Sequence, residues 1–302
     1  MVQDSPSVTL AKSPDPTGTP ALRRRPPTRL GLRPGELVRR PMLLLAVLYV
    51  VLVAGWTMAP GLFAGQDPLL TDASKSLTEP GSAHWFGTDN LGRDVYARVV
   101  HGTRVSIVAG LLAVALSLVV GSLLGVLAGY AGGWLDQALM RLVEVLVVIP
   151  GLLLSLAVVS ILGFGTTNVA IAVGIAGIPS FARVVRAEVL RIRGSTYVAA
   201  AVTSGHRTPT ILLRHVVPNA SPPVLVLAAL DIGGAVLSIA ALSFLGFGAA
   251  PPAPELGAMV SQGRDYIATA WWLTTFPGVA IALLVLSTSR IARALERTGV
   301  SS

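Results

Sequence analysis

Few side chains in this sequence are placed to do chemistry. The histidines are His84, His101, His206 and His215, and the chain holds no cysteine. No two histidines stand at metal-ligand spacing on one helix and no thiolate can assist them, so an ordinary zinc site and thiol catalysis are excluded. An intramembrane hydrolase needs a nucleophile and a base that meet within apolar segments, and every histidine falls in a loop or near an interface. The phosphate-cradling pattern Gly-x4-Gly-Lys-Ser/Thr is absent, so the chain does not bind and hydrolyse ATP by that route. Two carboxylates lie in apolar stretches. Glu144 follows Arg141 by three positions, which puts both on one helical face near an interface as a local ion pair. Asp231 lies deeper. An unpaired carboxylate there costs several kcal/mol, so it either bonds a neighbouring helix or lines a polar pathway.

The elements that must position these residues are membrane helices. Of 302 residues, 53% are hydrophobic and 13% charged. A soluble domain carries about 25% charged residues, so the chain lacks the charge to cover a water-facing surface. Apolar stretches at 42–59, 107–130, 142–163, 168–185, 224–247 and 271–291 are each long enough to cross about 30 Å of hydrocarbon. Backbone groups in lipid must be satisfied internally, which predicts an all-α polytopic fold with about six transmembrane helices. Pro150 and Gly151 interrupt the third stretch. Gly174, Gly177 and Pro179 loosen the fourth, and Gly121, Gly125 and Gly129 on the second permit close approach of a neighbour.

Charge sets the orientation. Residues 1–41 hold eight basic and three acidic side chains, and 183–215 hold six arginines against Glu188 alone. Residues 60–106 hold four basic and five acidic side chains. The positive-inside bias predicts a plasma (inner) membrane protein with both termini cytoplasmic. The net charge of +8 then reflects this flank and not nucleic-acid binding. The division expected is a disordered basic tail at 1–38, a first transmembrane helix at 39–61 and an extracytoplasmic loop at 62–106. A core domain follows at 107–295, with a cytoplasmic loop at 187–222, and then a short tail at 296–302.

That cytoplasmic loop is unusually structured for a connector. Ser195 or Thr196 can cap a short helix reaching about Ser204, and Gly205 can end it in a left-handed conformation. Thr208 and Pro209 read as N-cap and first helical residue of a second short helix that ends before Pro218. Tyr197, Val198, Val202 and Ile211 offer apolar anchors, and Arg207 and Arg214 a basic rim. The physical reading is helix-in-groove docking to a soluble partner.

The stretch from Ala199 to Pro218 resembles the EAA loop of ABC importer permeases: Glu-Ala-Ala, three residues, Gly, nine residues, Ile-x-Leu-Pro. Ala200, Ala201, Gly205 and Pro218 stand at matching positions. Ala199, His215 and Val217 replace the usual Glu, Ile and Leu. HWFGTDNLGRDVYARVVHGTR from His84, AGYAGGWLDQALMR from Ala128, RHVVPN from Arg214 and LSFLGFG from Leu242 are similar to the C-type permease subunit of the dipeptide, oligopeptide and nickel importers. The resemblance covers about residues 40–295.

The resemblance implies a type I ABC importer permease fold and a non-catalytic subunit that moves di- or oligopeptides into the cytoplasm by alternating access. It implies a second homologous permease, two ATPase subunits that bind the ATP, and an extracytoplasmic solute-binding protein. Nickel or another small solute is the alternative cargo, and a stand-alone secondary transporter the alternative class. In this reading Tyr197, Val198, Ala199, Ala200, Ala201, Val202, Gly205, Arg207, Arg214 and Pro218 couple to the ATPase, and Asp231 is a pathway candidate. Loss of the glutamate is tolerable, because an exposed ion pair supplies only about 0–1 kcal/mol whereas one buried Val or Ile supplies about 1.5–3. On the outer side, Asp89 is expected to cap an interfacial helix bearing Arg93, Asp94 and Tyr96, which either contacts a partner or stabilises the interface alone.

Overall fold

The computed structural model describes residues 41–300, with side chains through Leu295. The basic tail expected at 1–38 and the last two residues lie outside the described residues. Among the described residues the fold is organised by α1 (Pro41–Met58), α2 (Val95–Ala131), α3 (Gly133–Val148), α4 (Gly151–Leu162), α5 (Thr166–Arg193), α6 (Thr196–Thr203), α7 (Thr208–Ile211), α8 (Val217–Phe244), α9 (Leu256–Gly263) and α10 (Trp272–Val300), with a further α-helical turn at Pro60–Phe63. Among the described residues five helical stretches are long and apolar enough to cross a membrane, and the α3–α4 pair makes a sixth if it is one broken span.

The break falls at Pro150, where the two helices turn by 95°. Proline disfavours an α conformation in the residue before it, and Ile149 is extended. At 1.5 Å per residue the 16 residues of α3 reach about 24 Å and the 12 of α4 about 18 Å, so neither crosses about 30 Å alone.

Glycine sets the tightest seam. A Cβ at Gly121 would lie 2.8 Å from the Ile178 carbonyl oxygen, at Gly125 2.6 Å from that of Ala182, and at Gly129 3.0 Å from that of Arg186. Their missing side chains let α2 lie directly on the α5 backbone. Gly174 returns the contact, its absent Cβ falling 2.9 Å from the Ala113 carbonyl oxygen. Around this pair a buried cluster joins Val114, Phe181, Val185, Val189, Ile239 and Leu242. α1 packs on α2 and α10, and the Tyr49 hydroxyl donates to the Ala280 carbonyl at 2.9 Å.

One end of the bundle gathers Tyr130 and the α5 terminus, where Arg193 donates to the Tyr130 carbonyl at 2.6 Å. The opposite end gathers the 64–94 segment and the 245–271 connection, tied by Trp272 Nε1 to the Thr88 carbonyl at 3.1 Å.

Two boundaries differ from the sequence reading. The segment after Asp94 is not an interfacial helix: it is the first three turns of α2, which runs unbroken for 37 residues. The second short helix of the loop does not end before Pro218. It passes through a π turn, Leu212–Val216, into α8, so the stretch Thr208–Phe244 is one helix of 37 residues. Pro218 has no N–H to give a preceding carbonyl, and the wider turn absorbs it, the Val217 N–H reaching back to Leu212. The same repair recurs one turn on. Pro222 cannot donate to the Pro218 carbonyl, and the Ser221 hydroxyl donates there instead at 2.9 Å.

Candidate functional site

Three places hold the residues singled out above. The first is the helical turn that protrudes from the Arg193 end. α6 closes in the two-bond pattern of a Schellman motif: the Gly205 N–H reaches the Val202 carbonyl at 3.0 Å and the His206 N–H the Ala201 carbonyl at 3.2 Å. Gly205 has φ +79°, the left-handed conformation that only glycine adopts freely. A Cβ built there meets nothing within 4 Å. Ser195 stands at the α6 N-cap, but its hydroxyl turns back to the Ile192 carbonyl. The next cap falls one residue earlier than expected, on Arg207, with Thr208 and Pro209 in the first turn.

Burial divides the ten coupling residues. Tyr197, Ala199, Ala200, Val202, Gly205, Arg207, Arg214 and Pro218 are exposed, Val202 to 56%. Val198 and Ala201 are buried in the chain's own core, as is Ile211. Val198 and Ile211 are therefore not anchors for a partner. They fasten the turn to α5 and α8, and the free apolar surface comes from Tyr197, Val202 and Leu213, which is 72% exposed.

The second place is a cavity of about 230 Å³ between α2, α4, α5 and α8, lined among others by Ser117, Ser155, Ser180, Asp231 and Ser238. Asp231 has neither a hydrogen bond nor an ion pair among the described residues. Two glycines border its carboxylate, a Cβ at Gly177 standing 3.7 Å from Oδ2 and one at Gly234 3.8 Å from Oδ1, both ordinary contact distances. Of the alternatives open in the sequence, a bond to a neighbouring helix is not made. Below it along α5, towards the Arg193 end, lies a larger cleft of about 680 Å³ lined by α3 and α5. There Arg186 grips Asp136 with two bonds of 2.6 and 2.7 Å. Arg141 meets Glu144 at 3.2 Å, as their spacing predicted.

The third place is the outer cluster. Asp94, not Asp89, caps α2, its Oδ1 accepting the Ala97 N–H at 2.8 Å. Asp89 folds the preceding turn by accepting the N–H groups of Leu91 and Arg93. Its other oxygen meets the Arg93 Nε at 2.7 Å, with the Arg98 Nε at 3.6 Å. Asp89, Arg93 and Asp94 are all buried, and His84 pairs with Asp94 at 2.8 Å. A partner contact through these three would need side chains that the chain has already spent internally. Tyr96 is half-buried and packs edge-on against Trp56 and Phe86.

Sequence reasoning missed the serines around Asp231 and passed over Glu255. That carboxylate is fully buried and caps α9, taking the N–H groups of Gly257 and Ala258 and the Ser106 hydroxyl at 2.8–3.1 Å. Burial pushes its pKa above the ordinary value of 4.5. Its position immediately before an apolar helix was the available signal.

The chain is similar to known membrane transport proteins. The profile of the family described as binding-protein-dependent transport system inner membrane component matches residues 121–298. The chain is 42% identical over 238 residues to the probable D,D-dipeptide transport system permease protein DdpC of Escherichia coli K12, covering 79% of this chain and 80% of that one. It is 38% identical to the dipeptide transport system permease protein DppC of Alkalihalophilus pseudofirmus, covering 83% and 84%. It is 45% identical to the glutathione transport system permease protein GsiD of Pectobacterium atrosepticum, covering 69% of each. Among solved structures, an inward-facing MetNI methionine ABC transporter chain superposes with a TM-score of 0.54 at 19% identity, covering 67% of this chain and 97% of that one. This last likeness is one of fold.

Proposed function

The chain belongs to the family of binding-protein-dependent transport system inner membrane components, and from that premise we propose that it carries short peptides across the membrane by ATP-driven alternating access. It is a multi-pass inner membrane permease, the non-catalytic component of an ABC importer that works with an ATPase and a binding protein. The finer reading is ours. Two ATPase subunits and a second, homologous permease complete the complex, both termini face the cytoplasm, and the cargo is a di- or oligopeptide, glutathione included. The relatives named above, which are named for transport of a D,D-dipeptide, a dipeptide and glutathione, support that cargo class.

One observation carries the mechanism. The exposed turn at Gly205 heads the unbroken helix Thr208–Phe244, which also bears Asp231 on the cavity wall. At 1.5 Å per residue, the 23 residues from Thr208 to Asp231 span about 35 Å. An ATPase groove that grips Tyr197, Val202 and the Arg207 and Arg214 rim would hold one end of a rigid rod whose other part lines the pathway. Turning a two-state gate from 1:99 to 99:1 takes about 5.5 kcal/mol. Two or three apolar anchors at about 1.5–3 kcal/mol each are of that order without the family glutamate.

The test is reconstitution of the complete transporter in vesicles, with labelled L,L-dialanine, D,D-dialanine and glutathione offered in turn. Uptake of at least one that requires ATP and the binding protein is expected. Accumulation by this chain alone without nucleotide would refute the reading. Because the sequence has no cysteine, a single cysteine placed at Thr203 reports the sidedness directly, and labelling by an impermeant reagent from outside intact cells would reverse the orientation.

A further inference from the structure

The cavity of Asp231 and the cleft beneath it share one wall. Ser180 lines the cavity and Arg183 the cleft, and on α5 the two stand three positions apart, one above the other. Both spaces also border the α3–α4 pair, so its 95° bend lies between them. Asp231 and Arg183 share a further property. The other two arginines of the cleft are engaged, Arg186 by Asp136 and Arg141 by Glu144. Arg183 is exposed and has no ion pair or hydrogen bond among the described residues, and Asp231 is likewise unpartnered.

A carboxylate on α8 and a guanidinium on α5, each without a counter-charge among the described residues and each lining a space beside α5, are complementary to a molecule with a cation at one end and an anion at the other. The rise along α5 between their two levels sets the scale of its length. The Asp231 carboxylate lies at the level of Gly177, and the six residues from there to Arg183 advance about 9 Å along α5. A chain extended at about 3.3–3.6 Å per residue covers that distance in two or three residues. Guanidinium suits a terminal carboxylate because it can present two parallel N–H donors.

Resting on the peptide-import reading above, we propose that Asp231 and Arg183 form a two-point site for the termini of a short zwitterionic peptide in transit, Asp231 taking the ammonium and Arg183 the carboxylate. Ser180, between the two levels on α5, supplies neutral polar surface between the two charges. Neither pole is neutralised among the described residues, so each keeps its field for the passing peptide. A di- or tripeptide satisfies both at once, and a longer one only one at a time. The site therefore favours short cargo.

The experiment uses the complete transporter in vesicles, supplied with its binding protein, ATP and labelled L,L-dialanine. D231N and R183Q are each expected to lower the uptake rate at least tenfold, while D231E, which restores the charge, stays within about threefold of the unaltered complex. All three complexes should co-purify with their partner subunits. Any other pattern overturns the site: unchanged uptake in D231N or R183Q, D231E as slow as D231N, or a D231N complex that does not assemble, which would make the carboxylate a packing group. An unaltered transporter that takes up none of L,L-dialanine, D,D-dialanine or glutathione refutes the peptide reading itself, and the two-point site with it. That failure is distinct, because it appears before any variant is made.

Discussion

Replacement of Gly205 separates what the turn needs from its backbone and what it needs from its surface. The residue sits at φ +79°, where an ordinary L-residue costs roughly 1–2 kcal/mol. The space around it is open, since a Cβ there meets nothing within 4 Å. A Cβ therefore clashes with nothing among the described residues, and the intramolecular penalty of alanine there is conformational. At about 1.4 kcal/mol per tenfold, a 2 kcal/mol bias leaves the turn in its working shape about one thirtieth as often. The apparent affinity of a groove that selects that shape falls by the same factor. Asparagine adopts the left-handed region more readily than alanine or valine, so ATP-driven uptake in vesicles should rank Gly205, then G205N, then G205A, then G205V. G205V is expected at or below one tenth of the unaltered rate, with the ATPase still co-purifying at saturating concentration. Full uptake by G205V, or G205A outperforming G205N, would refute the claim that the left-handed turn is what the partner engages.

D89A leaves Arg93 and Arg98 buried without their carboxylate. Removing one side of a buried pair costs about 3–5 kcal/mol, so the detergent-solubilised protein should melt many degrees lower, and an unchanged melting temperature would contradict the network. G125L forces a side chain into a seam where even a Cβ falls 2.6 Å from a carbonyl oxygen. A loss of about 1–3 kcal/mol or more is expected in denaturant titration, against little change for G61L, an exposed position where a Cβ meets nothing within 4 Å. Glu255 has its folded pKa raised above 4.5 by burial. The folded state then binds more protons than the unfolded state in the interval above 4.5, so this group's contribution to stability falls as pH rises through it and is flat beyond. E255Q should abolish that fall in a pH series of thermal melts, and an identical slope in both proteins would exclude Glu255 as its source.

Most of the bundle was legible because hydrocarbon thickness and backbone satisfaction leave few alternatives to helices of about 20 residues. The small-residue repeat at Gly121, Gly125 and Gly129 likewise announced a close helix pair, which α2 and α5 form. What failed were the ends of helices. Pro218 reads as a stop because a proline ring obstructs the turn before it, yet a five-residue π turn and the Ser221 hydroxyl make its continuation affordable. Asp89 and Asp94 are equivalent as caps by residue type. Asp89 is taken up by Leu91 and Arg93 within its own turn, and what the local window does not contain is the burial of Arg98 beside it, which reaches the Pro68 carbonyl 30 residues away and that of Pro252 154 away.

The division of the coupling loop into inward and outward anchors was hidden for a similar reason. Tyr197 and Val198, or Ala201 and Val202, are neighbours of comparable apolar character, and only the seating of α6 on α5 and α8 decides which of each pair is spent on the chain itself. That division has a mechanical consequence. A turn held only by a partner would swing freely at Gly194 and Gly205 and transmit little. With Val198, Ala201, Ile211 and Val216 buried in the same core as Phe181 and Ile239, a displacement applied at Tyr197 or Val202 must move α5 and α8 together, and these two helices carry Arg183 and Asp231. V198A, which touches no exposed surface, should therefore weaken transport without weakening ATPase binding, as a loose joint would. Equal loss of both in uptake and co-purification measurements would place Val198 in the docking contact after all.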